Sequence, residues 1–394
     1  MACLRSCLEQ KSPYCGAAES RRPRSCQLFA TDDRLLRKPL SHNILLQVSF
    51  LGLCSAMARG GHGSIIRNGL LKELSLMEGR SAEQVATGLE DIKAALGASS
   101  SRFKSAQKLF VQEDIRLNSD YLYGCRSSPS CSYVQLDFLR SDKAATIINS
   151  WVSRKTQGKI SQIASASSLG SNTGLAVLNA VYYKALWKKP FPAHLTEKKP
   201  FFSFSFYSYI CLIWGCQRPR IVEMMTFGAP VRLPYFENSL VKALALPLNG
   251  SRQEELIVML PKHSDVLAIL TPSLMEEVAA GLREQAVDVQ LPKWRVETPA
   301  FNLNKPLQNL GLKDAFTDRA DFSNIFQNAN VKLDQVIHKA IFEVSEEGVE
   351  SSAGNFKFIW KPKAKPEIFH ANRPFVYGVV VQRAAILFQG IFAG

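Results

Sequence analysis

The chain has 394 residues, 46% hydrophobic and 21% charged, a globular composition with ample apolar material for a large core. Lysine and arginine outnumber aspartate and glutamate 48 to 34, giving a net charge of +14 that favours acidic partners but says nothing of fold. No nucleic-acid motif accompanies the charge, and the longest aromatic–apolar run, residues 201–214, is too short to span a bilayer, so neither nucleic acid nor membrane is expected as a partner. Nine cysteines (Cys3, Cys7, Cys15, Cys26, Cys54, Cys125, Cys131, Cys211 and Cys216) include no C-x-x-C pair, which removes zinc-ribbon and thioredoxin-type chemistry. They read as free thiols, with a Cys125–Cys131 or Cys211–Cys216 bridge as the alternative.

Residues 1–40 are rich in Cys, Arg, Ser and Pro without periodicity and read as an irregular segment, with no apolar stretch that would make a signal peptide. Between Ile65 and Leu96, apolar residues recur at three and four, which predicts two amphipathic helices separated near Gly79. "SAQKLFVQ" (105–112) predicts a strand. "SDKAATIINSWVSRKTQGKI" (141–160) predicts a helix with Ile147, Ile148, Trp151 and Val152 on one side and Gly158 near its end. "GLAVLNAVYYKALW" (174–187) is β-branched and aromatic throughout, as a central strand buried on both faces must be. "LVKALALPL", "ELIVMLPK" and "VDVQLPKWRVE" alternate and stop at turn residues, predicting further strands, and "LNKPLQNLGLKDAF" predicts a short helix. "QVIHKAIFEV", "RPFVYGVVV" and "AAILFQGIF" close the chain as strands. The class is α+β, with helices early and strands late.

Hydrolase signals are missing: there is no G-x-S-x-G elbow, no H-E-x-x-H and no Walker loop, so neither an enzyme nor a cofactor is expected. Two polar residues sit inside otherwise apolar strands, Asn179 and His338. Each needs a buried partner, and together they predict a polar link between strands rather than a reactive centre. The stretch "EVSEEGVESSAGNFKFIWKPKAKPEIF" (343–369) is different in kind. A strand face of Val336, His338, Ala340, Phe342 and Val344 runs into Gly348, and the alternate residues Val349, Ser351, Ala353 and Asn355 are small or moderate. Small uncharged side chains are what a segment requires if it is to slide between two packed strands.

Several separate segments resemble the serpin family. "FHANRPFVYGV" (369–379) is similar to the family's C-terminal signature, and "HKAIFEVSEEGVESSAG" resembles its hinge. "LNAVYYKALWKKPF" (178–191) resembles the strand ending at a tryptophan in the breach of the main sheet, and "INSWVSRKTQGKI" the helix covering that sheet. The match covers about residues 105–394. It implies a serpin fold over 41–394, with a large mixed central sheet, further sheets, surrounding helices and an exposed reactive-centre loop at 345–368. It implies a shutter pair at Asn179 and His338, a breach tryptophan at Trp187, and a salt bridge from Lys293 to Glu346. The hinge would comprise Glu346, Glu347, Gly348, Val349, Glu350, Ser351, Ser352 and Ala353.

By the same resemblance the protein is a monomeric suicide-substrate inhibitor of a serine protease, and an extracellular location follows from family habit, with a cytoplasmic one as the alternative that the missing signal peptide favours. Counting from Gly348 at the usual loop length places the reactive bond at Pro362–Lys363. Proline following Lys361 and Lys365 hinders cleavage there, so chemistry places the bond at Lys363–Ala364, which implies a trypsin-like target. The chain departs from the family pattern at Val349, where Thr or Ser is usual, and in "SSAG", which replaces an alanine run. It departs again at Lys357, which alternation turns inward. Those departures keep a non-inhibitory serpin-like protein open as a substrate, carrier or chaperone, and the charge keeps open a module binding a heparin-like polyanion. Residues 201–220 have no family counterpart; they read as an atypical insert and, with parts of 1–45, as the product of a faulty gene model.

Overall fold

The computed structural model describes residues 103–126, 133–202, 219–249, 253–262, 272–309, 313–323, 325–327, 331–348, 365–381 and 385–394. The irregular segment 1–40, the two helices predicted between 65 and 96, and the Cys125–Cys131 and Cys211–Cys216 alternatives lie outside the described residues or side chains.

Two sheets carry the described fold. The first has six strands in the order β10-β12-β3-β1-β2: β10 (Trp294–Glu297), β12 (Gln335–Gly348), β3 (Leu175–Trp187), β1 (Phe103–Gln112) and β2 (Tyr133–Leu136), with β11 (Phe301–Asn302) also pairing β12. β3 is buried along nearly its whole length, as its continuous apolar spelling requires of a central strand. The second sheet has nine strands. It is built on β9 (Arg283–Pro292), which pairs β6 (Val231–Glu237), β5 (Arg220–Thr226) and β13 (Glu367–His370). β7 (Val241–Pro247), β8 (Glu254–Pro261), β14 (Phe375–Val381) and β15 (Ala385–Phe392) continue it on one side, and β4 (Glu197–Phe201) ends it on the other.

An aromatic core including Tyr183, Trp187, Trp294, Phe342, Phe369, Phe375, Tyr377, Phe388 and Phe392 joins residues of both sheets. The opposite face of the first sheet is covered by α2 (Ser141–Lys155). Ala144, Ala145, Ile148, Trp151 and Val152 recur at the three- and four-residue spacing of a single helical stripe and are buried. The remaining described helices are α1 (Ser119–Arg126), α3 (Pro272–Gly281) and α4 (Asn304–Asn309). Among them, none is long and apolar enough to cross a membrane.

The structure corrects several boundaries. The helix predicted over 141–160 ends at Lys155, where Gln157 and Gly158 take positive φ and Gly158 N–H reaches back to Ser153 O at 2.7 Å. Ile147 is 41% exposed rather than on the buried side, because it lies off the stripe that runs through Ala144, Ile148 and Trp151. "VDVQLPKWRVE" is two strands in different sheets, β9 and β10, broken at Lys293. "LNKPLQNLGLKDAF" yields the six-residue α4 and a separate 3-10 turn at Asp314–Phe316.

The atypical insert 201–220 is narrower at both ends. Phe201 is a fully buried core residue paired with Arg220 between β4 and β5, so the insert reading applies only to the residues between those strands, of which 203–218 lie outside the described residues. The strand face at Val336–Val344 is only half the story. Ile337 and Ile341, on the opposite side of β12, are also buried, under α2.

Candidate functional site

The centre of the first sheet is a seam between β3 and β12. The two strands are parallel and in continuous register from Gln335↔Ala176 to Val344↔Ala185. Side chains of opposed residues in a parallel pair point to the same face, so the seam has an inner row on the aromatic core and an outer row under α2. Asn179 and His338 are directly opposed in the inner row, with Asn179 Nδ2 and His338 Nδ1 2.8 Å apart. Both side chains are buried, and the imidazole meets the Phe301 ring edge-on. Desolvation pushes the His338 pKa from 6.5 down to about 4, so the ring is neutral near pH 7 and Nδ1 accepts from the Asn179 amide. Two residues further along β12, on its side away from β3, Thr298 exchanges hydrogen bonds with Ala340, donating to its carbonyl and accepting from its amide.

At the upper end β12 bulges, advancing from Val344 to Gly348 while β3 advances from Ala185 to Trp187. Three consecutive residues of that bulge are each held by a different side chain. Trp187 Nε1 donates to Ser345 O at 2.6 Å, and its ring stands edge-on to Phe191. Lys293 Nζ lies 3.3 Å from Glu346 Oε2, and Thr196 donates to Glu346 Oε1. Burial works against the Glu346 charge, but its backbone hydrogen bond and those from Lys293 and Thr196 overcome it and hold the carboxyl below the usual range. Lys184 Nζ takes Glu347 Oε1 at 2.6 Å. A Cβ on Gly348 would stand 2.7 Å from Trp187 O and 2.9 Å from Pro190 Cβ and Cδ, so this position needs glycine for close approach.

The loop predicted over 345–368 is shorter at both ends. Residues 345–348 belong to β12, and β13 begins at Glu367, paired with β9 in the second sheet. The chain between therefore leaves one sheet and rejoins at the other. Val349, Glu350, Ser351, Ser352, Ala353, Lys357, Pro362, Lys363 and Ala364 all lie outside the described residues.

Sequence reasoning missed the outer row. Lys184 opposes Glu343, Tyr182 OH donates to Glu343 Oε2 at 3.0 Å, and Arg295 Nη1 stands 4.0 Å from the same oxygen. Desolvation, then the Glu343 charge and hydrogen bond, push the Tyr182 phenol well above its usual pKa. The available signal was Lys184 itself, the one charge within an apolar strand. Sequence reasoning also missed Asn149, whose side chain accepts from Ile163 and Ala164 N–H and donates to Ala164 O, tying the segment after α2 to the helix. Among the described residues no group of three His, Cys, Asp or Glu side chains gathers as a metal site.

Residues 46–393 match the family described as Serpin (serine protease inhibitor). The chain belongs to the serpin family. It is 30% identical over 301 residues to human Serpin B3, covering 74% of each chain. It is 27% identical over 321 residues to an Antitrypsin of Bombyx mori, covering 78% of this serpin and 77% of that one. Uncleaved ovalbumin superimposes with a TM-score of 0.74 at 23% identity, and a tumour suppressing serpin with 0.72 at 21%, each covering 88% of this chain and 91% of its own. Those two likenesses show the serpin fold, and the seam, the bulge and the strand that leaves it are this serpin's version of that fold's central sheet.

Proposed function

We propose that this serpin inhibits a trypsin-like serine protease by offering Lys363–Ala364 as a cleavable bond and then inserting the cleaved loop into the β3–β12 seam. The observation that carries the reading is the seam's direction. β3 and β12 are neighbours and parallel, and the loop departs from the upper end of β12. A chain that turns back at that point runs antiparallel to both strands, so it can pair with each through well-formed ladders.

The protease serine attacks the Lys363 carbonyl carbon, and its proton passes to the leaving nitrogen, which becomes the new amino terminus at Ala364. The acyl-enzyme ester then rides on Lys363 as the loop enters the seam, before water can complete hydrolysis. Lysine before the bond suits a primary pocket ending in a carboxylate. On family resemblance the protein acts outside the cell, which its appearance in conditioned medium tests.

Lys357 favours a second reading, a non-inhibitory serpin, because alternation from Val349 turns its ammonium toward the core. Incubation with trypsin followed by a boiled denaturing gel separates the two. Inhibition gives a covalent complex and a small fragment whose mass spectrum begins at Ala364. Cleavage without complex, and without a rise in melting temperature of the cut protein, establishes the second reading. A fragment beginning at Lys363 moves the reactive bond to Pro362–Lys363.

A further inference from the structure

We infer that Lys184 is a positioning residue for loop insertion: it clamps the hinge of β12 to the facing strand and sets how readily the seam opens. The inference rests on the insertion reading above and adds a residue to it.

A strand that enters between β3 and β12 moves them from neighbours, roughly 4.8 Å apart, to twice that spacing. Every cross-seam side-chain contact in the outer row must then break. Those contacts centre on Lys184 and Glu343, which are directly opposed, 3.9 Å apart and each about one-fifth to one-quarter exposed (19% and 24%). Glu343 also receives the Tyr182 hydroxyl from β3, at 3.0 Å. The bulge then carries Glu347 over the same ammonium at 2.6 Å, so one lysine holds two glutamates four residues apart on the other side of the seam. The Lys293–Glu346 bridge does something different. Lys293 lies between β9 and β10, so it fixes the hinge from the far side without spanning the seam. Two β3 side chains reach across to the bulge, Trp187 through an uncharged hydrogen bond to a carbonyl and Lys184 through charge. Lys184 is the salt-sensitive half of that clamp.

The test uses intact protein and a synthetic peptide of residues 349–360, whose annealing into the uncleaved protein on a native gel reports seam opening without a protease. Lys184→Met and Glu347→Gln are each expected to speed annealing roughly two- to five-fold, as loss of cross-strand ion pairs implies. The double variant should be no faster than Lys184→Met alone, because Lys184→Met already removes the Glu347 contact. Lys184→Arg should restore the slow rate, and added salt should speed the wild type but not Lys184→Met.

Lys332→Met, which removes a bridge to Asp318 away from the seam, serves as the control for general loosening. Annealing of Lys184→Met at the wild-type rate, or equal acceleration by Lys332→Met, overturns the role of Lys184 and leaves the inhibitory reading standing. A wild type that takes up no peptide at any temperature below melting overturns insertion itself, and this inference with it.

Discussion

Acidification should loosen the seam through His338, and the size of the effect follows from its burial. In the unfolded chain the imidazole takes up a proton near pH 6.5; in the folded sheet it resists until about pH 4. Between those values the unfolded state binds more protons, so stability falls as the pH is lowered. The contribution is fully present above pH 6.5 and gone near pH 4. Working that linkage from pH 7 to pH 5 gives a loss of about 2 kcal/mol from this one side chain.

Protonation would also turn Nδ1 into a donor facing the Asn179 amide nitrogen, 2.8 Å away, so the side-chain amide would have to turn over to present its oxygen. Urea unfolding of the wild type and His338→Gln at pH 7 and pH 5 isolates the effect. Glutamine keeps a hydrogen-bonding group but cannot titrate, so its stability should fall by about 2 kcal/mol less than the wild type's over that interval. Parallel losses in the two proteins would refute the assignment and show that other groups carry the acid sensitivity.

Gly348→Ala should destabilise by about 1–3 kcal/mol, because the new methyl meets a backbone carbonyl and a proline ring, neither of which yields cheaply. Thermal melting measures it, and hydrogen exchange at residues 344–348 should rise. Trp187→Phe removes the donor to Ser345 O and shrinks a fully buried ring, so a loss of about 2–4 kcal/mol is expected by the same measurements. Lys363→Glu should abolish complex formation with trypsin while leaving the melting temperature of the uncut protein unchanged; retained inhibition would move the reactive bond elsewhere.

The features legible in the chain alone were local or periodic in origin. The 13 residues Leu175–Trp187 spell a strand buried on both faces, and they are one. The stripe Ala144–Ile148–Trp151 is helical spacing and lies against the sheet. The polar residues Asn179 and His338 announced a buried link simply by being where no solvent could satisfy them. Other features needed the assembled fold. That Asn179 and His338 stand at the same level, 159 residues apart in the chain, depends on the register of β3 against β12, which core packing sets and no local signal encodes. The break at Lys293 arises because two sheets meet there, so an unbroken alternation is divided between them. The pairing of Lys184 with Glu343 likewise follows from that register, and its pairing with Glu347 exists only because a bulge brings a second carboxylate over the first. Periodicity tells which residues face inward; only the register of distant strands tells which of them touch.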